Sequence, residues 1–329
     1  MNDVLLGYLE KPRTPLVLDS RYFPSKFGGK PAWLNPQNLP QYRDLQCNSC
    51  GTRMRFLLQV YAPQDDREDL FHRSIFLFIC TNCTCSVQAF RCQLPRMNDY
   101  YDYNPAPTSF LFEDVNPEET ILELKELKFN NICNTCGLPL STESKCQQSN
   151  THDKCNAIDS GAGKVILDEF SLDIEICSTD EEDEDDDQEE TQDDNFENDP
   201  DEEMTPITGE NDLGLEELPD QLDNINKKDV LFDKFINNSR KYPGHIIRYS
   251  HNGSPLWISD KNIPSETPQK CPLCNSNRVF EFQIQPEAIV LGNLPSKVEF
   301  GVIAIFTCSK NCRIDYYAPE CVLIQNNPY

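Results

Sequence analysis

Basic residues are in short supply. The chain carries 29 Lys and Arg against 55 Asp and Glu, a formal net charge of −26 over 329 residues. Phosphate backbones are held by clustered Lys and Arg, so direct nucleic-acid binding is not expected. Long hydrophobic runs are missing too. IFLFIC (75–80) and GVIAIF (301–306) are strand-length, well short of the ~20 residues of a membrane helix. The opening MNDVLLGYLEKP lacks a basic region and a long apolar core, which argues against a secretory signal and for a cytosolic protein. No nucleophile elbow, P-loop or dinucleotide fingerprint occurs. His72, His245 and His251 have no partner at ligand spacing and read as surface or packing residues. The expectation is therefore a chain that is not an enzyme. Hydrophobic residues make up 38%, low for a fully packed chain, so part of it is expected to stay unpacked.

What the chain does have is cysteine and a block of acid. In a reducing compartment its 16 cysteines point to metal binding before disulfides. The acid is concentrated: residues 180–203 hold 17 Asp and Glu and no Lys or Arg. Such a run repels itself and buries too little apolar surface to fold. It reads as a solubilising spacer or as a polyanion for a very basic partner, with Asp183, Asp185 and Asp186 as candidate partner-binding residues. Downstream, LGLEELPDQLDNI (213–225) spaces Leu213, Leu215, Leu218 and Leu222 loosely like a nuclear export signal. A short amphipathic docking segment would show the same pattern.

The chain repeats itself. Each of its two tryptophans, Trp33 and Trp257, precedes a CxxC by fourteen residues. At an offset of 224, Pro31 falls on Pro255, Pro40 on Pro264, Cys47 on Cys271 and Cys50 on Cys274. Phe56, Leu58, Gln59 and Val60 then fall on Phe280, Phe282, Gln283 and Ile284. A four-residue loop difference brings IFLFIC onto IAIFTC, matching Cys80 with Cys308. This is an internal duplication of about 60 residues per unit. FLLQVYAP (56–63) and VFEFQIQP (279–286), rich in aromatic and β-branched residues and ended by Pro, read as strands. IFLFIC and GVIAIFTC read as central strands covered on both faces. SVQAFRCQL (86–94) and IDYYAPECVLIQ (314–325) supply third strands. DVLFDKFINNSRK (229–241) is the best helix.

The expected fold is mainly β: two duplicated zinc-knuckle sheet units joined by a disordered acidic linker. The N-terminal unit spans 1–140 and is followed by a loop (141–163) and an apolar strand-like segment (164–177). The linker covers 178–226 and the C-terminal unit 227–329.

Two thiolate pairs on separate turns are what tetrahedral zinc requires. The second repeat supplies Cys271, Cys274, Cys308 and Cys312; the first supplies Cys47, Cys50 and Cys80, with Cys83 or Cys85 completing the set. Cys133 and Cys136 form another half-site, closed by Cys155 with His152 or Cys146. Two to three zinc ions per chain follow, with structural roles, because sets of four ligands leave no open position. Cys92, Cys177 and Cys321 sit in apolar stretches and read as buried thiols. Trp33 and Trp257 each begin an arm that leads through a Pro turn into a knuckle. Each is expected to pack on its own sheet, or else to offer an aromatic platform to a partner. FGGKP supplies two glycines for a tight turn before Trp33.

Several stretches resemble the programmed cell death protein 2 family: LGYLE, FPSKFGGKPAWL, CNSCGTRMRFLLQVYAP, FHRSIFLFIC and FRCQLPRMNDYY, then HIIRYS, PLWIS, CPLC and VFEFQ. The resemblance covers both repeats. In that family the second N-terminal pair resembles C-x4-C, which favours Cys85 over Cys83. Animal members carry a MYND-type zinc finger in the middle, whereas residues 133–155 here keep only CNTC and scattered candidates. In this the chain resembles the fungal branch, named for accumulation of a small-subunit rRNA precursor. The resemblance implies a dedicated chaperone of one basic small-subunit ribosomal protein, the eukaryotic relative of bacterial S-five, acting as a monomer outside the client complex. A zinc-dependent adaptor in nuclear or signalling complexes is the alternative.

Overall fold

The computed structural model describes residues 4–83, 86–108, 124–140, 166–177 and 229–328. The acidic run and the rest of 178–226 lie outside them.

The described strands are β1 (Leu5–Glu10), β2 (Lys26–Phe27), β3 (Arg55–Tyr61), β4 (His72–Ile79), β5 (Val87–Leu94), β6 (Phe170–Ile176), β7 (His245–Tyr249), β8 (Arg278–Ile284), β9 (Val302–Cys308) and β10 (Ala318–Gln325). They close a barrel in the order β1-β6-β2-β3-β4-β5-β10-β9-β8-β7, with β7 returning to β1. Every pairing is antiparallel.

The duplication is visible in the ladders. β3 and β4 slip register between Phe56 and Leu58; β8 and β9 slip between Phe280 and Phe282. These bulges are 224 residues apart, so Leu57 and Glu281 hold the same place in the two repeats. The repeats do not form separate sheets, however, as the sequence led us to expect. β5 of the first pairs with β10 of the second through Ala318↔Arg91, Pro319↔Phe90 and Glu320↔Ala89. On the other side β1 lies between β6 and β7. An isolated three- or four-stranded sheet leaves two unpaired edges. Here each edge finds its partner in the other repeat or in β1, β2 and β6, and no edge is left among the described strands.

Burial follows from closure. The interior core takes Phe27, Leu58, Val60, Ile75 and Leu77 from the first repeat and Ile247, Phe282, Ile284, Ile303 and Ile305 from the second. A further cluster covers the outer face of β4 and β5, where Trp33, Leu34, Leu45, Phe76, Phe78 and Phe90 meet. With both faces covered, β4 and β9 are buried at every position, which is why they read as continuous apolar runs.

The α-helices among the described residues are α1 (Val230–Lys241) and α2 (Glu287–Leu291). Asp229 caps α1 by accepting from the Phe232 amide at 3.0 Å, and Arg240 and Lys241 complement the dipole in its last turn. Its Phe235 packs with Leu256, Ile258 and Val302.

Buried ion pairs join the repeats. Arg73 on β4 makes a two-pronged contact with Glu281 on β8, Nη1–Oε1 and Nη2–Oε2 both at 2.8 Å, and both side chains are 0% exposed. Burial alone would raise the Glu281 pKa, but the Arg73 guanidinium and hydrogen bonds from His251 and Arg73 hold it well below the ordinary carboxylate range. Arg91 on β5 and Arg278 on β8 share the two oxygens of Glu320 on β10, at 2.7 and 2.9 Å.

Candidate metal centres

Three knuckles share one backbone turn. In the first, the Cys47 amide donates to Thr52 O and the Gly51 amide to Cys47 O, both at 2.8 Å. In the second repeat, Cys271 donates to Ser276 O and Asn275 to Cys271 O, both at 2.9 Å. In the third, Cys133 donates to Leu138 O and Gly137 to Cys133 O, both at 2.8 Å. The residue after each CxxC is left-handed: Gly51 (φ 69°), Asn275 (φ 57°) and Gly137 (φ 70°). Gly and Asn are the residues that tolerate this conformation. The sequence signal is thus C-x-x-C-[GN], a refinement that counting cysteines missed.

Each repeat brings a second thiol pair to its knuckle from the end of a strand. Cys47, Cys50, Cys80 and Cys83 converge, as do Cys271, Cys274, Cys308 and Cys312; within each set all four sulfurs lie within 4.8 Å of one another. Sulfur separations are 3.4 Å for Cys47–Cys83, 3.5 Å for Cys50–Cys80, 3.7 Å for Cys271–Cys312 and 3.5 Å for Cys274–Cys308. Disulfides would need ~2.05 Å. A tetrahedron with Zn–S bonds of ~2.3 Å has sulfur–sulfur edges of about 3.8 Å, so the donor sets fit a structural zinc ion. Among the described residues the first set is completed by Cys83. Cys85 itself lies outside the described residues.

The thiols within each set are unequal. Hydrogen bonds from the Thr52 hydroxyl and amide lower Cys50 to about 6, and Ser276 lowers Cys274 to about 6 in the same way. Burial, followed by neighbouring cysteines, pushes Cys312 up to about 12 and Cys83 up further. One thiolate forms readily and opposes ionisation of its neighbours. A divalent cation supplies the positive charge that lets all four ionise together.

Cys133 and Cys136 are buried together in the third knuckle. Their expected partners Cys155 and His152, and Cys146, lie outside the described residues. What is described is how this knuckle docks. Trp33 donates from Nε1 to Gly137 O at 2.8 Å, Lys30 donates to Asn134 O at 2.6 Å, and the Arg53 guanidinium bonds Pro139 O.

The tryptophan arms are held by a duplicated glutamine. Gln59 accepts from the Ala32 amide at 2.9 Å and donates back to Ala32 O at 3.3 Å. Gln283 does the same to Leu256, at 2.7 and 2.9 Å. Each Gln is fixed on the strand that follows its knuckle, so the Trp-to-CxxC spacing is the length of chain from clamp to metal site. Trp33, 1% exposed, stacks on Phe76 and Phe78 and meets Tyr317 edge-on. It therefore cannot be the exposed partner platform the sequence had allowed. Trp257 is half-buried between two small clusters. The FGGKP turn takes Gly28 and Gly29 through φ 63° and 67°. A Cβ on Gly28 would lie 1.9 Å from Asp168 O, so only glycine fits there.

The other expected residues fall out as follows. Asp183, Asp185 and Asp186 lie outside the described residues. Cys92 is buried, whereas Cys177 and Cys321 are only half-buried. His72 and His245 are buried, and His251 bonds Glu281 at 3.1 Å. Among the described residues no helix is long and apolar enough to cross a membrane.

Fold and donor sets together define a class: a β-barrel built from two repeats, each fastened by a four-cysteine centre. The comparisons with known proteins place it. The family profile described as Programmed cell death protein 2, N-terminal domain, matches residues 3–108, and the one described as its C-terminal putative domain matches 229–326. Programmed cell death protein 2 of Bos taurus is 35% identical over 337 residues, covering 94% of this chain and 92% of its own. The Mus musculus protein is 36% identical at the same coverage. A Schizosaccharomyces pombe relative named Probable 20S rRNA accumulation protein 4 is 32% identical over 93 residues, 25% of this chain and 22% of its own. The chain belongs to the programmed cell death protein 2 family. No solved structure matches it.

Proposed function

We propose that the chain is a dedicated chaperone of a basic small-subunit ribosomal protein, the eukaryotic relative of bacterial S-five. It captures that client during synthesis, keeps it soluble, and thereby supports small-subunit assembly and rRNA maturation. The observation that carries this reading is charge: 17 acidic residues in 180–203 within a chain of net charge −26. A polyanion of this density attracts a strongly basic client and screens it from RNA. Family membership supports the same reading, since the Schizosaccharomyces pombe relative is named for 20S rRNA accumulation. The four-cysteine sets support a non-catalytic role, because zinc closed by four sulfurs keeps no position for substrate. In this reading the barrel is the binding body, zinc is structural, and the protein works in the cytosol as a monomer until it meets its client.

The test is a pull-down of the full chain from a translating lysate, with sequencing of the co-purified mRNA. A chaperone that acts during synthesis enriches one mRNA, that of its client, and loses it when puromycin releases nascent chains. An adaptor between mature proteins brings down proteins without any such mRNA, and that result would overturn the proposal.

A further inference from the structure

Arg91 does not belong to the repeat whose metal centre it touches. It lies on β5 of the first repeat and its side chain is 0% exposed. Its Nη2 lies 3.9 Å from the sulfur of Cys312, a member of the second repeat's set, and its Nη1 lies 3.4 Å from Cys312 O. Nη1 also bonds Gln93, and Nε donates to Glu320 Oε1 at 2.7 Å. Arg278 of the second repeat takes the other Glu320 oxygen. All this happens at the β5–β10 seam, where the backbone pairing runs through only Ala89, Phe90 and Arg91 on one side and Ala318, Pro319 and Glu320 on the other.

Four thiolates around a divalent cation leave a formal charge of −2. Cys271 and Cys308 of this set are buried, and buried charge is costly unless it is paired and hydrogen-bonded. A guanidinium that donates to a ligand sulfur offsets part of that charge and fixes the direction of the sulfur lone pairs. Glu320 in turn holds the guanidinium against rotation, with Arg278 bracing Glu320 from the opposite side.

We propose that Arg91 is an outer-shell positioning residue of the Cys271, Cys274, Cys308 and Cys312 centre, so that metal binding by the second repeat is strengthened by the first. Linkage makes the effect reciprocal: metal in that centre tightens the seam between the repeats. Closure of the seam and loading of that centre are thus coupled. This concerns the scaffold and does not depend on the identity of the client.

The test uses the full chain loaded with cadmium-113, each four-cysteine centre giving its own NMR resonance, assigned through the cysteine β-protons. A chelator titration then reports the affinity of each centre separately. Arg91→Gln is expected to weaken the second repeat's centre by ~10–100-fold, the range for outer-shell partners, and to shift only its resonance. The first repeat's centre is expected to hold its affinity within about twofold. Arg91→Lys keeps the charge without the fork and is expected to fall between wild type and Gln at the same centre. Equal losses at both centres would reduce Arg91 to a general packing residue and overturn the proposal, as would unchanged affinity or Lys no better than Gln. If Arg91→Gln does not fold, Arg91→Lys decides alone: a loss confined to the second centre supports the coupling, and no selective loss refutes it.

Discussion

Glu281 offers the sharpest perturbation of the barrel. It occupies the place that Leu57 holds in the first repeat, and both are 0% exposed. The carboxylate meets the Arg73 fork at 2.8 Å twice, accepts from Tyr249 Oη at 2.7 Å, and takes hydrogen bonds from Thr307 and His251. Arg73 has further partners in Asn311 Oδ1 at 3.1 Å and Ala62 O at 3.2 Å. Glu281→Gln preserves shape and an acceptor oxygen but strands a buried guanidinium. Breaking a fully buried pair from one side costs ~3–5 kcal/mol, a large share of the ~5–15 kcal/mol that holds a typical domain together. Arg73→Met should cost a similar amount. The double variant removes both charges and leaves Tyr249 and Thr307 an acceptor, so its cost should fall short of the sum by on the order of 2–3 kcal/mol. The assay is denaturant unfolding with both centres metal-loaded, so that metal release is common to all four proteins. A Glu281→Gln cost below about 1 kcal/mol, or strict additivity, would refute the claim that this pair locks the repeats together.

Three other outcomes are expected. Burial against Phe23, Tyr61 and Tyr101, then the nearby Arg96, pushes His72 down to about 4. Its ring resonances should stay flat from pH 7 to 5. The unfolded chain takes up that proton first, so this group subtracts stability as pH falls from ~6.5 toward 4; a midpoint near 6.5 would contradict the burial. Trp33→Ala should cost ~3–5 kcal/mol and speed amide exchange across 131–140, whereas a partner platform would lose binding with stability intact. Deleting 180–203 should slow client association by ~10-fold at low salt with dissociation nearly unchanged. The difference should vanish near 1 M salt, where the Debye length is ~3 Å; equal association rates at low salt would reduce the run to a spacer.

Much of this was legible in the sequence, and the exceptions share a cause. The β3, β4, β5, β8, β9 and β10 strands, helix α1 and the CxxC pairs announce themselves through local pattern. So does the duplication, down to the matched positions around Leu57 and Glu281. Barrel closure was not legible, because the pairing of β5 with β10 is set by two edges more than 200 residues apart, and no local pattern encodes it. β1 and β7 were noticed only as family-like stretches. β2, two residues long, is held entirely by its neighbours. The buried charges Arg73, Arg91, Glu281 and Glu320 defeat the rule that charged side chains face water. Their partners, Glu281 for Arg73 across the repeats and Glu320 for both Arg91 and Arg278, make burial tolerable. The choice between Cys83 and Cys85 was open in the residues; Cys83 is seen beside Cys47, Cys50 and Cys80, and Cys85 lies outside the described residues. Gln59 and Gln283 were recognised as equivalent, yet their task as clamps appears only once Ala32 and Leu256 are seen beside them.

The central claim is that two four-cysteine centres hold one barrel together, and metal content tests it most directly. The full chain, purified without added metal and dialysed, should retain at least two zinc ions, or three if the Cys133–Cys136 knuckle also closes. Cys271→Ser should lose one ion and unfold the second repeat, since structural zinc contributes on the order of 10 kcal/mol. A folded chain with less than one zinc ion, or a Cys271→Ser variant with an intact second repeat, would contradict the account.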